Sequence, residues 1–78
     1  MRQIAYNIVV FLHLMGYSDN SKIKLLTNMY QKNLEIENSA LVEIVKNIID
    51  DLKDKNVNTS IISNLEAYVE EIQYEMTY

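Results

Sequence analysis

Asn56-Val57-Asn58-Thr59-Ser60 separates two segments that each carry an apolar stripe at helical spacing, in a chain with no proline and a single glycine. Upstream, Leu41, Ile44, Val45, Ile48, Ile49 and Leu52 recur every three to four residues, with Glu43, Lys46, Asn47, Asp50 and Asp54 between them. Downstream, Ile61, Ile62, Leu65, Tyr68, Val69, Ile72 and Met76 repeat the pattern. Two amphipathic helices joined by so short a polar hinge pack as an antiparallel hairpin. The spacing predicts helices over residues 39–55 and 59–76, the first capped by Asn38-Ser39 and the second starting at Thr59 or Ser60.

The N-terminal half repeats the arrangement. Ile4, Ile8, Phe11, Leu12 and Met15 form a stripe over residues 2–15, and Gly16 ends it because glycine takes the left-handed C′ conformation without a Cβ clash. Ser18, Asp19, Asn20 and Ser21 offer caps for a helix over 19–36, with Ile23, Leu26, Tyr30 and Leu34 inward and Leu25, Met29 and Ile36 widening the stripe. Four helices with short connections predict one all-α domain over residues 1–78, an antiparallel up-down-up-down four-helix bundle. Asp51 and Lys55 stand at i, i+4 in the favourable acid-first order, and Lys53 and Lys55 suit the negative end of the helix dipole.

Composition narrows the function classes. At 78 residues a single core just suffices, and 49% hydrophobic with 23% charged residues excludes a disordered tail. With no cysteine there is no disulfide framework and no thiolate metal site, which fits a reducing cytoplasm. The net charge is −4, concentrated in Glu66, Glu70, Glu71 and Glu75, while the seven Lys and Arg residues are scattered between positions 2 and 55. Phosphate recognition draws on clustered cations, so nucleic acid is not an expected partner. Arg2 followed by the run Ile8–Leu12 faintly imitates a secretory signal, but Asn7 and His13 interrupt it and no A-x-A site follows; the run is read as core.

Chemistry-bearing motifs are sparse. One histidine, no cysteine and no glycine-rich loop leave carboxylates on solvated faces as the acid-base candidates, so no catalysis, cofactor or metal is expected. Asp54-Lys55-Asn56-Val57-Asn58-Thr59-Ser60 begins like a calcium loop, yet its sixth position is Thr59 and its twelfth Leu65 where glycine and glutamate are required. Asn58-Thr59-Ser60 reads as a glycosylation sequon, and equally as a helix cap, the reading preferred here.

Two local rules are broken. The first helix carries a second apolar stripe, Tyr6, Val10, His13 and Tyr17 with Leu14 beside them, where a bundle helix needs only one. Neighbouring helices could lean over it, or it could be a contact face for a partner or a second copy. The C-terminal stretch Glu70-Glu71-Ile72-Gln73-Tyr74-Glu75-Met76-Thr77-Tyr78 places acids where the helix dipole disfavours them. It reads either as a fraying end or as a recognition tail whose Glu70, Glu71, Tyr74 and Tyr78 meet a partner.

The run Leu25-Leu26, Tyr30, Leu34, then Asn38-Ser39-Ala40-Leu41-Val42, Ile44, Ile48-Ile49, then Ile61, Leu65, Tyr68 and Ile72 resembles the immunity proteins of pediocin-like (class IIa) bacteriocins, of the enterocin A immunity type, over residues 23–72. The resemblance rests on hydrophobic pattern and loop placement. It implies a cytoplasmic four-helix bundle, peripheral at the inner face of the membrane, that protects a Gram-positive producer without doing chemistry. The partner it implies is the membrane-embedded mannose phosphotransferase component with its bacteriocin bound, and specificity in the family is attributed to the C-terminal half. The alternative reading is a small homodimeric interaction or regulatory module of phage or plasmid origin, paired through the first helix.

Overall fold

The computed structural model describes residues 2–17, 19–32 and 36–76. All regular structure among them is α-helical: α1 (Arg2–Leu14), α2 (Ser21–Gln31), α3 (Asn38–Asp54) and α4 (Thr59–Met76). None of these helices is long and apolar enough to cross a membrane.

Two of the turns use the same device. Gly16 sits at φ +85°; its N–H donates to the His13 carbonyl at 3.1 Å and that of Tyr17 to the Leu12 carbonyl at 3.0 Å. Asn56 sits at φ +56°, its N–H donating to the Lys53 carbonyl at 3.2 Å and that of Val57 to the Leu52 carbonyl at 3.4 Å. This paired closure satisfies the last carbonyls of a helix and needs a residue that tolerates the left-handed region, which glycine does freely and asparagine does better than most. In each turn the next residue is apolar and folds back: Tyr17 and Val57 pack against the core that holds Leu12 and Leu52. The hinge therefore closes α3 through Asn56 and then caps α4, because Asn58 Oδ1 accepts from the Ser60 N–H at 2.8 Å.

The first predicted helix stops one residue early, at Leu14, so Met15 lies in the turn and is exposed instead of joining the core. Ile4, Ile8 and Leu12 are buried as expected, Phe11 only partly, and Ala5 and Val9 are buried as well. The inward face is thus rotated toward Ala5 and Val9, because α1 packs against α2 on one side and α4 on the other.

The second helix departs most. It begins at Ser21, capped by Asn20, whose Oδ1 accepts from the N–H groups of Lys22 at 2.8 Å and Ile23 at 3.4 Å, and it ends at Gln31, well short of residue 36. Ile23 and Leu26 are fully buried, Tyr30 is half-buried and Leu25 is exposed. Had the helix continued, Ile36 would stand about 220° round from Ile23, at about 100° per residue, facing away from the core. Outside the helix Ile36 packs against it. Leu34 and Ser18 lie outside the described residues.

The third helix begins at Asn38, with Glu37 in the cap position making no side-chain cap hydrogen bond, in place of the expected Asn38-Ser39 cap. Leu41, Val45, Ile48, Ile49 and Leu52 are buried, joined by Val42, while Ile44 is half-buried. In α4, whose limits match expectation, Ile62, Leu65, Val69 and Ile72 are buried and Met76 is exposed.

These faces meet in one wholly apolar core; no polar or charged residue among those described is buried. Packing joins α1 to α2, α2 to α3, α3 to α4 and α4 back to α1, most extensively between α3 and α4. The shortest Cα extent, 17 Å, matches two layers of helices whose axes lie about 8–10 Å apart.

Candidate functional site

From Gln3 to Tyr17 the chain contains no Asp, Glu, Lys or Arg, although such residues make up 23% of the whole. Its outward side therefore has no charges to solvate it. Leu14 is 75% exposed and Tyr6 45%, with Val10 half-buried between them. The Tyr6 ring leans on that of Tyr30 from α2, centroids 5.6 Å apart and planes tilted by 44°. Together with Val9, His13, Thr27 and Gln31 these residues line an open groove of about 390 Å³ along the α1–α2 seam.

His13 is fixed within this groove. Its Nε2 lies 3.2 Å from Thr27 Oγ1, and that hydroxyl donates to the Ile23 carbonyl at 2.8 Å. A hydroxyl has one proton, already committed to Ile23, so Thr27 Oγ1 accepts from the His13 Nε2–H. The chain His13 to Thr27 to Ile23 ties the end of α1 to α2.

The predicted contact residues are thus only partly brought together. Tyr6, Val10 and His13 share the groove with Leu14, while Tyr17 does not belong to it. Expected as the next member of the outward stripe, Tyr17 lies past Gly16, where the left-handed turn redirects it onto the core. Phe11, on the opposite flank, meets Tyr68 of α4 edge-on at 6.2 Å. Thr27 and Gln31 complete the groove from α2 with no signal of their own, and Tyr30 had one only as a core residue, because periodicity within one helix does not report which neighbour shares its seam.

The C-terminal candidates fall elsewhere. Glu70 borders an open cleft of about 330 Å³ between α3 and α4, whose floor is Ile49 and Val69 and whose rim carries Lys46, Asp50, Lys53 and Glu66. Glu71 and Tyr74 are exposed on the last turns of α4, which stays helical through Met76. Tyr78 lies outside the described residues.

Charge enters the inter-helix packing at the α2–α3 junction. Asp51 accepts from Lys22 Nζ at 2.9 Å and from Asn20 Nδ2 at 3.2 Å. Those two hydrogen bonds, that of Lys22 first, hold the Asp51 carboxyl below its usual value, with the more distant Lys55 adding little. The expected Asp51–Lys55 pair within α3 thus gives way to a pair between helices.

Comparison with models of known families, with curated proteins and with solved structures finds no match for this chain.

Proposed function

We propose that this chain is a non-enzymatic binding protein, specifically a bacteriocin immunity protein acting in the cytoplasm at the inner face of the membrane. Its partner in this reading is the mannose phosphotransferase component that a pediocin-like bacteriocin has engaged. The supporting observation is that Leu26, Leu41, Ile48, Leu65 and Ile72, all within the pattern that carries the family resemblance, are fully buried in one core built by four helices. With the core accounting for that pattern, recognition falls to the surface: the uncharged α1 groove and the acidic, tyrosine-bearing end of α4.

The same reading takes the helices to run up-down-up-down. Supporting it, Tyr6 near the start of α1 meets Tyr30 near the end of α2, and Lys22 at the start of α2 meets Asp51 near the end of α3. A turn as short as residues 55–58 also supports α4 doubling back along α3.

Expression of the full chain in a bacteriocin-sensitive strain tests the role. Resistance to one or a few pediocin-like peptides is the expected outcome. Removal of residues 74–78 should reduce it with little loss of stability, since Tyr74 and Met76 are 63% and 49% exposed. A soluble, folded chain that protects against no member of a broad panel would contradict the immunity role. The charge-free α1 surface favours a second reading, the homodimeric interaction module of phage or plasmid origin, in which that surface pairs with its own kind.

A further inference from the structure

We infer that the outward stripe of α1 is the interface of a two-fold dimer in which two copies of α1 lie antiparallel and cross at Val10. The inference deepens the homodimeric reading by giving it a register, and it stands whether or not the chain confers immunity. Tyr6, Val10 and Leu14 are spaced at i, i+4 and i+8, so they lie nearly in line along one side of the helix. A two-fold axis through Val10, perpendicular to α1, sets Val10 against its symmetry mate and brings Tyr6 of each copy onto Leu14 of the other. The stripe is therefore self-complementary, as an isologous contact requires. The most exposed apolar side chain described, Leu14 at 75%, then gains the ring of Tyr6 as its cover.

Charge selects the second copy as occupant. The described residues that line the groove include no Asp, Glu, Lys or Arg. The outward faces of α3 and α4 carry Glu43, Lys46, Asp50, Glu66, Glu70 and Glu71, all exposed. Laying either of those faces against the α1 stripe would desolvate charges with nothing to pair them. The same α1 surface of another copy covers the stripe with no such cost. His13 and Gln31, at the edge of the groove, supply polar atoms for the rim of the contact.

The register is tested by sedimentation equilibrium on full-length chains up to several hundred micromolar, with far-ultraviolet circular dichroism confirming that each variant is helical. Wild type is expected to dimerise reversibly. Tyr6→Glu and Leu14→Lys, each alone, place a charge against an apolar mate and should raise the dissociation constant by about 30-fold or more. The Tyr6→Glu/Leu14→Lys double variant forms two Glu–Lys contacts in this register and should recover the dimer. So should an equimolar mixture of the two single variants, which restores one such contact. Because the chain has no cysteine, Val10→Cys should oxidise to a covalent dimer, whereas Glu43→Cys should not. A monomeric wild type at every concentration, or a dimer indifferent to both single variants, would overturn the inference. Helical variants whose double substitution fails to recover association would overturn the antiparallel register. Loss of bacteriocin resistance in Leu14→Lys, with wild type monomeric, would give the surface to a foreign protein and overturn the second copy while leaving the immunity role intact.

Discussion

Single side chains divide sharply between those that fold the chain and those that do not. Ile48 and Leu65 are fully buried in the middle of the two longest helices. Replacing either with alanine removes buried methyl groups and leaves a cavity, which should cost about 2–5 kcal/mol, read as a lowered denaturant midpoint. Gly16 and Asn56 act through the backbone. No atom beyond its immediate chain neighbours lies within 4 Å of a Cβ placed on Gly16, so Gly16→Ala loses stability through its φ of +85° and not through a clash, by about 1–2 kcal/mol. Asn56→Gly should instead gain a few tenths of a kcal/mol or more in the same urea titration, since glycine enters the left-handed region more freely still. The importance of Gly16 was legible because glycine at the end of an apolar stripe has one common meaning. That of Asn56 was hidden inside a polar run in which every residue suits a turn.

The helices differ in how well their own periodicity fixes them. The limits of α4 match expectation, and α3 is sorted almost cleanly into buried and exposed faces, because each places one apolar stripe against a strongly polar one. The apolar stripe of α2 runs on to Ile36 in the sequence although the helix ends at Gln31, since apolar residues that reach the core from a loop look, in one dimension, like a continued helix. Inter-helix polar contacts were less legible still: Lys22 and Asp51 are twenty-nine residues apart, and only the packing of α2 on α3 brings them together. The pair has a pH signature. The folded chain holds Asp51 below its ordinary pKa, so the pair's stabilisation is complete above the unfolded value, near 3.9, and is lost as pH falls through the folded one. Comparing wild type with Asp51→Asn in urea, the gap between their midpoints should be constant at neutral pH and close on acidification below about pH 4. With both partners partly exposed, at 41% and 32%, solvent screens the interaction and the gap should be small.

For the molecule as a whole, the open question raised by the sequence was the second apolar stripe on α1. The structure answers it in part: α2 leans on Tyr6 through Tyr30 and ties down His13 through Thr27, while Leu14 and much of Tyr6 stay uncovered. Which of the stripe's residues a neighbour would cover could not be read from α1 alone, because that depends on where α2 comes to rest. What remains uncovered is a charge-free surface on an otherwise charged protein, to which we assign a role in association and not in folding. The thermal midpoint as a function of protein concentration tests that role, measured for wild type and for Tyr6→Ser/Val10→Ser. Association stabilises the folded state by mass action, so the wild-type midpoint should rise with concentration. The double variant loses the Tyr6–Tyr30 ring contact, so it should start somewhat below wild type when dilute, remain folded, and show no rise. A wild-type midpoint independent of concentration, or a double variant already unfolded when dilute, would contradict it.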